Sequence, residues 1–468
     1  MQSMHDYDIL IIGAGPGGYV AAIRARQLGL KVGLIEQAHL GGICLNWGCI
    51  PTKVMLKGTD VLREASRADR FGINPHSPVL DPVKLIGRAT EVSGQLSAGV
   101  AFLLKKNGVD VIWGAARLTS SGQVTVTASD VAAPRGALGP GVYAAQHVIV
   151  ATGASPRRLA GLEPDGHLVW TYMQALRPAS VPASLIVVGS GAMGIEFASI
   201  YAAMGSKVTL IEIAARVLPQ EDAEISSLMA KALQKRGIVL HTGVTIGQLD
   251  RGENNVTALL SDGTTSSAER LLSAVGVVAN VVGLGLEALG VALKNGAVQT
   301  DAAGRSSVPG IYAIGDVAGP PMLAHKAEHE GIACVEAIAG QTRHGTSPMP
   351  SCIYASPQIA SVGMTEAKAA ESGLSVRVGR FSLRGNGKAL VLGEPDGLVK
   401  CVFDAATDRL IGAQIIGAEA SELIHGMTIA VSLGATSQQL ANVIFPHPTV
   451  SEALHEAVLA ARDGAIHA

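Results

Sequence analysis

The chain repeats one pattern of apolar and polar positions in two places. Residues 8–36 read DILIIGAGPGGYVAAIRARQLGLKVGLIE, and residues 184–212 read SLIVVGSGAMGIEFASIYAAMGSKVTLIE; the two stretches align without a gap. Each copy starts with an apolar run of strand length, passes through a glycine-rich turn into helical spacing, and closes on a second apolar run that ends in glutamate. This order predicts two βαβ units of the Rossmann type, and therefore an α/β fold.

The glycines and the closing acid of each copy predict a dinucleotide site. The first glycine permits the tight turn, the second lets a pyrophosphate approach the backbone, and the third lets helix and strand pack closely. The acid can accept hydrogen bonds from a ribose diol. The predicted contacts are Gly13, Gly15, Gly18 and Glu36 in the first unit, and Gly189, Gly191, Gly194 and Glu212 in the second. Two units with a purely structural role are the alternative.

Glu212 also predicts which nicotinamide cofactor binds. A carboxylate at this position favours a ribose 2′-hydroxyl and repels a 2′-phosphate. The residues that follow, IAARVLP, offer Arg216 as their single positive charge. NAD is therefore predicted in preference to NADP.

A pair of cysteines follows the first unit, in the stretch GGICLNWGCIPTK. A metal site needs more ligands nearby than this stretch offers. Along a regular helix the spacing of Cys44 and Cys49 gives a rise of about 7.5 Å, which exceeds the usual Cα separation of a disulfide. A bridge therefore requires a distorted segment, which Gly48 and Pro51 favour. A reducible disulfide that acts as a redox relay is the prediction, and two buried free thiols are the alternative.

The length, the net charge and the cysteine content of the chain bear on its number of domains, its partners and its location. The chain has 468 residues and a formal net charge of −2, which predicts several domains and gives no electrostatic reason to expect nucleic acid or a membrane surface as a partner. Its few cysteines and its start, MQSMHDYD, lack the features of a secreted protein, so the cytoplasm is the predicted location. Residues 271–293 are apolar enough for a membrane helix, but glycines and Glu287 interrupt them, which predicts strand, turn and short helix instead.

The cysteine stretch, placed after a GxGxxG unit, resembles the pyridine nucleotide–disulfide oxidoreductase family, and the resemblance covers essentially the whole chain. It extends to VIVATGASP at 148–156, GIYAIGDVAGPPMLAHKAEHEG at 310–331 and FPHPTVSEALHEA at 445–457. The resemblance implies a homodimer with FAD in the first unit and NAD in the second. It also implies oxidation of dihydrolipoamide carried on the lipoyl domains of a 2-oxo acid dehydrogenase complex, with hydride passed to NAD⁺. A glutathione reductase-like enzyme that uses NADPH, or a non-catalytic flavoprotein subunit, is the alternative.

The same resemblance implies the catalytic roles. Cys44 would be the interchange thiol and Cys49 the thiol beside the flavin. His447 and Glu452, supplied by the neighbouring subunit, would form an acid–base pair that removes the proton from the attacking thiol. From the residues alone, the alternative is that His447 caps a turn between two prolines.

Further contacts follow from the family pattern. Lys53, paired with Glu196, would lie near the flavin, although the residues alone favour two solvated helix charges. Additional flavin contacts are implied for Ala116, Thr152, Gly153, Asp316 and Ala324, and additional NAD contacts for Val244 and Gly276. No metal ligand set is predicted. The other three cysteines, Cys334, Cys352 and Cys401, are predicted to be buried and inert.

The chain departs from the family pattern at three places. Val277 and Ala279 replace a usual arginine and proline, which puts the local contacts near the NAD site in doubt. Phe445 replaces a common histidine, and because His447 is intact we expect tuning rather than loss of activity. Trp47 lies between the cysteines where a smaller residue is usual, which predicts restricted access to the disulfide or a shifted potential.

These patterns divide the chain into four predicted parts. They are an FAD-binding domain at 1–148, an NAD-binding domain at 149–275, a central segment at 276–346 that completes the FAD site, and an α+β dimerisation domain at 347–468. Within the last part, residues 398–417 alternate as two strands do, and helical spacing follows them.

Overall fold

The computed structural model describes residues 5–74, 78–341 and 347–467. The predicted boundary between the central segment and the C-terminal domain adjoins residues 342–346, which lie outside the described residues. The described residues form two compact units. The first unit comprises 5–54, 83–157 and 276–341, and the second comprises 55–74, 78–82, 158–275 and 347–467.

The described residues contain 24 strands, distributed from His5 to Gly417. In chain order they are β1 His5–Ile12, β2 Val32–Glu36, β3 Asp110–Trp113, β4 Ala115–Ser120, β5 Gln123–Thr127, β6 Gly141–Val150, β7 Ala154–Pro156, β8 Val169–Trp170, β9 Ser184–Val188, β10 Lys207–Glu212, β11 Val239–Thr242, β12 Ile246–Arg251, β13 Val256–Leu260, β14 Thr265–Ala268, β15 Arg270–Ser273, β16 Val277–Ala279, β17 Leu293–Lys294, β18 Ala297–Val298, β19 Ile311–Ala313, β20 Ser351–Ile353, β21 Gln358–Gly363, β22 Val376–Ser382, β23 Leu398–Asp404 and β24 Leu410–Gly417.

Helices and strands are mixed along the chain, as in an α/β fold. The α-helices are α1 Pro16–Gln27, α2 Gly42–Trp47, α3 Cys49–Ser66, α4 Pro82–Lys106, α5 Tyr172–Leu176, α6 Ala192–Ala203, α7 Ala223–Lys235, α8 Ala324–Ile338, α9 Glu366–Glu371, α10 Gly387–Leu392, α11 Ala420–Leu433, α12 Ser437–Ala441 and α13 Glu452–Ala460. Short 3₁₀ helices cover Ala68–Phe71, Glu287–Leu289, Gly315–Ala318 and Leu383–Gly385.

The first unit is built on one sheet in the order β3-β2-β1-β6-β5-β4, with β19 also paired to β6. β1 pairs in parallel with β2 and β6, so the carboxyl ends of these strands meet at one edge, where α/β proteins bind nucleotides. Helix α1 packs closely on α8. A Cβ atom at Gly331 would lie only 2.7 Å from the carbonyl oxygen of Gly17, so this close approach requires glycine. Arg24 and Glu336 join the same two helices through an ion pair of 2.7 Å.

The second unit contains a parallel sheet in the order β11-β10-β9-β15-β8, the antiparallel sheet β12-β13-β14, and a five-stranded antiparallel sheet in the order β20-β21-β24-β23-β22. The side chain of Lys400 on β23 is 2% exposed and lies 2.8 Å from Asp222, 2.7 Å from Glu224 and 2.7 Å from Glu366. A buried lysine needs such partners, because an unpaired charge in this position would be strongly destabilising. The cluster therefore fixes β23 to the start of α7.

The predicted fold class is confirmed. Both βαβ units occur where the pattern places them, as β1-α1-β2 and β9-α6-β10. Residues 398–417 form β23 and β24, and α11 follows. The apolar stretch 271–293 forms β15, β16 and a 3₁₀ turn, and none of the described helices is both long and apolar enough to cross a membrane. The four-part division of the chain stays a prediction.

Candidate active site

Cys44 and Cys49 form a disulfide at the junction of two helices. Helix α2 ends at Trp47 and α3 begins at Cys49, so the helical path breaks at Gly48 and the two cysteine Cα atoms lie 4.7 Å apart. The hydroxyl of Thr52 donates a hydrogen bond of 2.6 Å to the carbonyl oxygen of Gly48. Both cysteines are half-buried. The predicted bridge and the predicted distortion are confirmed.

Trp47, the unusual residue between the cysteines, packs edge-on against His39 with 6.1 Å between ring centroids. The neighbouring Asn46 amide donates hydrogen bonds to the carbonyl oxygens of Leu40, at 3.1 Å, and Gly42, at 2.9 Å. These contacts anchor the indole to the loop that precedes the disulfide. Its effect on disulfide access or potential stays a prediction.

The first dinucleotide cradle requires its glycines for two different reasons. Gly13 has a φ of +106°, and a Cβ atom there would lie 2.3 Å from the carbonyl oxygen of Ala151. A Cβ atom at Gly18 would lie 1.8 Å from the carbonyl oxygen of Gly13, so only glycine permits this helix–strand approach. At Gly15, the N-cap of α1, nothing lies within 4 Å of the added Cβ position and no side chain caps the helix. This open, uncapped helix N-terminus fits a pyrophosphate.

The second cradle repeats this geometry closely. Gly189 has a φ of +97°, and a Cβ atom at Gly194 would lie 1.9 Å from the carbonyl oxygen of Gly189. Gly191 is the N-cap of α6, again with open space and no capping side chain. The residues present therefore fit two dinucleotides, one per βαβ unit.

The acid that closes each unit is turned toward its glycine loop. Glu36 accepts hydrogen bonds from the backbone N–H groups of Ala14, at 2.8 Å, and Ala38, at 2.8 Å. Glu212 accepts from the N–H and the hydroxyl of Ser190, at 2.8 and 2.6 Å, and from the N–H of Ala214 at 2.8 Å. Each carboxylate is thereby fixed at the end of its strand, beside the loop, where a ribose would lie.

Asp316 lies in the 3₁₀ turn after β19, and this turn is held by a buried lysine. The Lys326 ammonium donates hydrogen bonds to the carbonyl oxygens of Gly315, at 3.1 Å, and Gly319, at 2.9 Å, and pairs with Glu330 at 3.0 Å. Glu330 in turn accepts from the N–H of Gly315 at 2.7 Å. Burial raises the pKa of Asp316. The sequence analysis missed Lys326 and Glu330; their i, i+4 spacing within the 310–331 stretch is the signal that could have identified them.

Asn280, which is distant in sequence, forms hydrogen bonds with both Thr152 and Gly153. The Asn280 amide donates to the carbonyl oxygen of Thr152 at 2.9 Å, and the Thr152 hydroxyl donates to the carbonyl oxygen of Asn280 at 2.7 Å. The N–H of Asn280 donates to the carbonyl oxygen of Gly153 at 2.9 Å. Strand β16, which contains the unusual Val277 and Ala279, pairs antiparallel with β7. The local backbone pairing is therefore formed despite both replacements.

His447 and Glu452 form a hydrogen-bonded pair at the start of α13. Nδ1 of His447 lies 2.8 Å from Oε1 of Glu452, and the N–H of Thr449 donates to Oε2 of Glu452 at 2.9 Å. Partial burial acts to raise the pKa of Glu452, but the hydrogen bonds from Thr449 and His447 outweigh it and hold this pKa below its usual range. The His447 side chain is 78% exposed, so its Nε2 edge is accessible in this chain.

Phe445, which replaces a common histidine, stacks on His455 with 5.0 Å between ring centroids. Nε2 of His455 lies 2.9 Å from the carbonyl oxygen of Ala441. The phenylalanine thus contributes packing next to the His447 segment rather than a second titrating ring.

The remaining predicted residues occupy defined positions. Lys53 is half-buried on α3 in the first unit, whereas Glu196 on α6 in the second unit is buried and accepts a hydrogen bond of 3.0 Å from the N–H of Tyr354. Glu196 is therefore not a solvated helix charge, and its pairing with Lys53 stays a prediction. Ala116 lies in β4, Ala324 begins α8, Val244 is buried after β11, and Gly276 precedes β16 with a φ of +93°.

The prediction that the other three cysteines are buried is wrong for one of them. Cys334 and Cys401 are buried, and burial raises the pKa of each thiol to about 12. Cys352 is half-buried. It lies on β20, which is an edge strand of the C-terminal sheet among the described residues, and packs against the core of that sheet.

Comparison with known proteins agrees with this geometry. Residues 7–331 match the family described as pyridine nucleotide-disulphide oxidoreductase, and residues 349–458 match its dimerisation domain. The chain is 52% identical to the dihydrolipoyl dehydrogenase of Rhizobium etli, with 97% of each chain covered, and 42% identical to that of Bacillus subtilis, with 99% of each chain covered.

Solved structures show the same architecture. A crystal structure of LpdA from Mycobacterium tuberculosis superposes with a TM-score of 0.89 at 29% identity and covers 96% of this chain and 98% of that one. The flavoprotein disulfide reductase RclA of Escherichia coli, as its Cu(II) complex, gives a TM-score of 0.85 at 27% identity, with 97% and 99% covered. With both dinucleotide cradles, the disulfide and the dimerisation domain in place, this chain belongs to the pyridine nucleotide-disulphide oxidoreductase family.

Proposed function

We propose that this protein catalyses the NAD⁺-dependent oxidation of dihydrolipoyl groups. The observation that carries the proposal is the disulfide between Cys44 and Cys49, which lies in the same unit as the first dinucleotide cradle. The relatives named dihydrolipoyl dehydrogenase match over nearly their whole length and support this activity.

The proposed reaction begins with sulfur chemistry. One thiolate of the dihydrolipoyl group attacks Sγ of Cys44, the Cys44–Cys49 bond breaks, and Cys49 leaves as a thiolate. The second thiolate of the substrate then attacks the mixed disulfide, which closes the lipoyl ring and releases Cys44. Two electrons have then moved from the substrate to the cysteine pair, and one S–S bond has been exchanged for another.

In this exchange His447 accepts the proton of the attacking thiol, and Glu452 orients and stabilises His447. The thiol must lose its proton before it can attack, and a neutral imidazole can accept it. Glu452, engaged at Nδ1 of His447, fixes the ring so that Nε2 is the atom available to the thiol, and stabilises the imidazolium that forms. The low pKa of Glu452 keeps this carboxylate ionised throughout the neutral range.

FAD and NAD supply the chemistry that returns the reduced cysteine pair to its disulfide and delivers hydride to NAD⁺. We propose that Gly13, Gly15, Gly18 and Glu36 hold FAD, and that Gly189, Gly191, Gly194 and Glu212 hold NAD. Ala116, Thr152, Gly153, Asp316 and Ala324 are proposed as further FAD contacts, and Val244 and Gly276 as further NAD contacts. Lys53, with Glu196, is proposed to provide positive charge beside the flavin.

The preference for NAD is supported by the partners of Arg216. Its guanidinium donates hydrogen bonds of 3.0 Å to the carbonyl oxygens of Pro219 and Glu221, so it is already engaged by backbone. Glu212, buried beside the loop, would repel a 2′-phosphate.

Glu212→Ala is expected to lower kcat/KM for NAD⁺ by about tenfold or more, because a charge-assisted hydrogen bond to the ribose is lost. The ratio of kcat/KM for NAD⁺ to that for NADP⁺ should fall as well. Steady-state assays with both coenzymes measure this, and Glu253→Gln, an exposed acid in the same unit, serves as the control. An unchanged coenzyme ratio in Glu212→Ala would exclude the proposed ribose contact.

The match of residues 349–458 to a dimerisation domain supports a homodimer. We propose that the dimer combines Cys44 and Cys49 of one subunit with His447 and Glu452 of the other. The proposed partner is a lipoyl domain of a 2-oxo acid dehydrogenase complex, and the proposed location is the cytoplasm.

A mixed dimer tests the shared site. In a dimer of one Cys44→Ser subunit and one His447→Gln subunit, both substitutions would fall in one site and leave the other intact. Coexpression with two different affinity tags isolates this species, which should recover roughly half of the wild-type turnover while each homodimer stays inactive. A mixed dimer as inactive as its parents would show that each subunit carries its own complete site.

The test of the function is an assay with free dihydrolipoamide and NAD⁺. The purified protein should be yellow, should turn over this pair, and should prefer it to glutathione with NADPH. Preference for NADPH and oxidised glutathione would establish the glutathione reductase-like alternative. Failure of dihydrolipoamide to bleach a bound flavin would establish a non-catalytic flavoprotein.

A further inference from the structure

The second unit contains a cleft of about 310 Å³ that the proposed reaction does not use. Its lining comes from α3 and the residue after it, the end of α6, the residue after α7, and Ser356, all within the same unit. Much of the wall is apolar, including Leu56, Leu62 and Ala202. Its volume lies at the lower end of the range for small-molecule sites in proteins.

Three arginines line this apolar cleft: Arg63, Arg67 and Arg236. Two carboxylates oppose them. Arg63 lies 2.5 Å from Glu394 and 3.3 Å from Asp60, while Arg67 approaches Glu394 at 3.9 Å. Lys57 and Glu64 also act on Asp60 through charge and offset each other, so three guanidinium groups against two carboxylates leave one positive charge without a matching negative charge.

Arg236 carries much of this imbalance. In the described part of the chain, its guanidinium has no side-chain hydrogen bond or ion pair, and it senses Asp60 and Glu394 only through charge. Burial, and then the nearby Arg63, lower the pKa of Arg236 to about 10. A partly desolvated cation that lies near two other cations and has no carboxylate bonded to it is an unfavourable arrangement that a bound anion would relieve.

Two polar atoms of the same wall also lack partners. The Oγ atom of Ser199, whose residue is 3% exposed, and the Nε atom of Arg63 are buried and accept or donate no hydrogen bond within the described residues. Buried polar groups are normally satisfied, so two unsatisfied groups in one cleft indicate a missing ligand atom or water.

From the apolar wall, the single unmatched charge and the unsatisfied donors, we propose that this cleft binds a small organic monoanion. Its carboxylate would lie among Arg63, Arg67 and Arg236, and its short apolar body would lie against Leu56, Leu62 and Ala202. A carboxylate matches a guanidinium in shape and charge, and one negative charge neutralises the excess.

The experiment is a calorimetric titration of the wild-type holoenzyme at low ionic strength with hexanoate, 1-hexanol and acetate. Hexanoate should bind once per subunit, at least about tenfold more tightly than 1-hexanol, which lacks the charge, or acetate, which lacks the apolar body. Arg236→Gln should weaken hexanoate binding by about tenfold or more. Arg384→Gln, an exposed arginine of the same unit that pairs with Asp396, is the matched control and should bind hexanoate as wild type does.

Ala203→Trp is the second variant, because it fills the cleft from an exposed position and leaves every charge in place. It should abolish hexanoate binding while retaining bound flavin and a normal melting temperature. The proposal is overturned if hexanoate fails to bind at millimolar concentration, if hexanoate and 1-hexanol bind equally, or if Ala203→Trp still binds hexanoate. Because these titrations measure binding, they are independent of whether dihydrolipoyl oxidation is confirmed.

Discussion

Cys49→Ser is expected to lose dihydrolipoamide:NAD⁺ turnover by roughly 10³-fold or more, as occurs when a covalent nucleophilic group is removed from other enzymes. Without the second sulfur there is no S–S bond for the substrate thiolate to attack, and no leaving thiolate. The fold should be retained, because α2 and α3 are fixed by the bonds of Asn46 and Thr52 as well as by the disulfide.

Steady-state turnover and anaerobic titration of the flavin spectrum with dihydrolipoamide measure this effect. Cys352→Ser is the matched control, since it removes a half-buried sulfur that takes no part in the bridge, and it should retain wild-type turnover. Reduction of an artificial acceptor by NADH should survive in Cys49→Ser, because that route bypasses the disulfide. Wild-type turnover in Cys49→Ser would disprove the relay.

His447→Gln is expected to lower kcat/KM for dihydrolipoamide by about 10²–10⁴-fold, the usual contribution of a general base. Glutamine keeps the side chain polar but cannot accept the thiol proton. Glu452→Gln should cause a smaller loss, because the imidazole remains but its orientation and its charged form are less well supported.

The pH dependence follows from the lowered pKa of Glu452. A carboxyl group whose pKa is lower in the folded protein stabilises it above the ordinary carboxyl pKa, and this contribution disappears as pH falls through the lowered value. Thermal unfolding across the acidic range should therefore show a pH-dependent loss in wild type that is reduced in Glu452→Gln. An identical acid profile in both proteins would mean that the pKa of Glu452 is not lowered in the folded protein.

The chain offers a matched control for this pair. His467 and Glu456 form a similar contact, with 2.7 Å between Nδ1 and Oε1, and Glu456 lies one turn after Glu452 on α13. His467→Gln removes an imidazole that contacts the same helix through Glu456 without touching the proposed proton acceptor, and it should retain near-wild-type kcat/KM. Equal losses in His467→Gln and His447→Gln would indicate a structural effect on α13 instead of proton transfer.

Sequence reasoning succeeded where the relevant atoms are close along the chain. The turn at Gly13 and the contact between Gly18 and the Gly13 carbonyl fall within six residues, and the same spacing recurs at Gly189 and Gly194. The pairs Cys44–Cys49 and His447–Glu452 each lie five residues apart. At such separations, helix and turn geometry alone restricts which side chains can meet.

Contacts between segments that are far apart in sequence could not be predicted from local patterns. Asn280 reaches Thr152 across 128 residues, and no local pattern indicates that contact. The burial of Lys400 depends on Asp222, 178 residues away. Cys352 is only half-buried on β20, whose place at the edge of its sheet is decided by the order of the strands.

The sequence by itself determined the two βαβ units, their glycine cradles and closing acids and the distorted cysteine segment, because each depends on short-range backbone geometry, and its resemblance to the family implied the histidine–glutamate pair. Only the tertiary structure decided which buried charges are compensated, how β16 and Asn280 hold the Thr152 turn in place, and that Arg63 of α3, Arg67 just after α3 and Arg236 just after α7 line one cleft. Those features arise when segments far apart in sequence pack together, and packing selects among arrangements that local propensity leaves equally open.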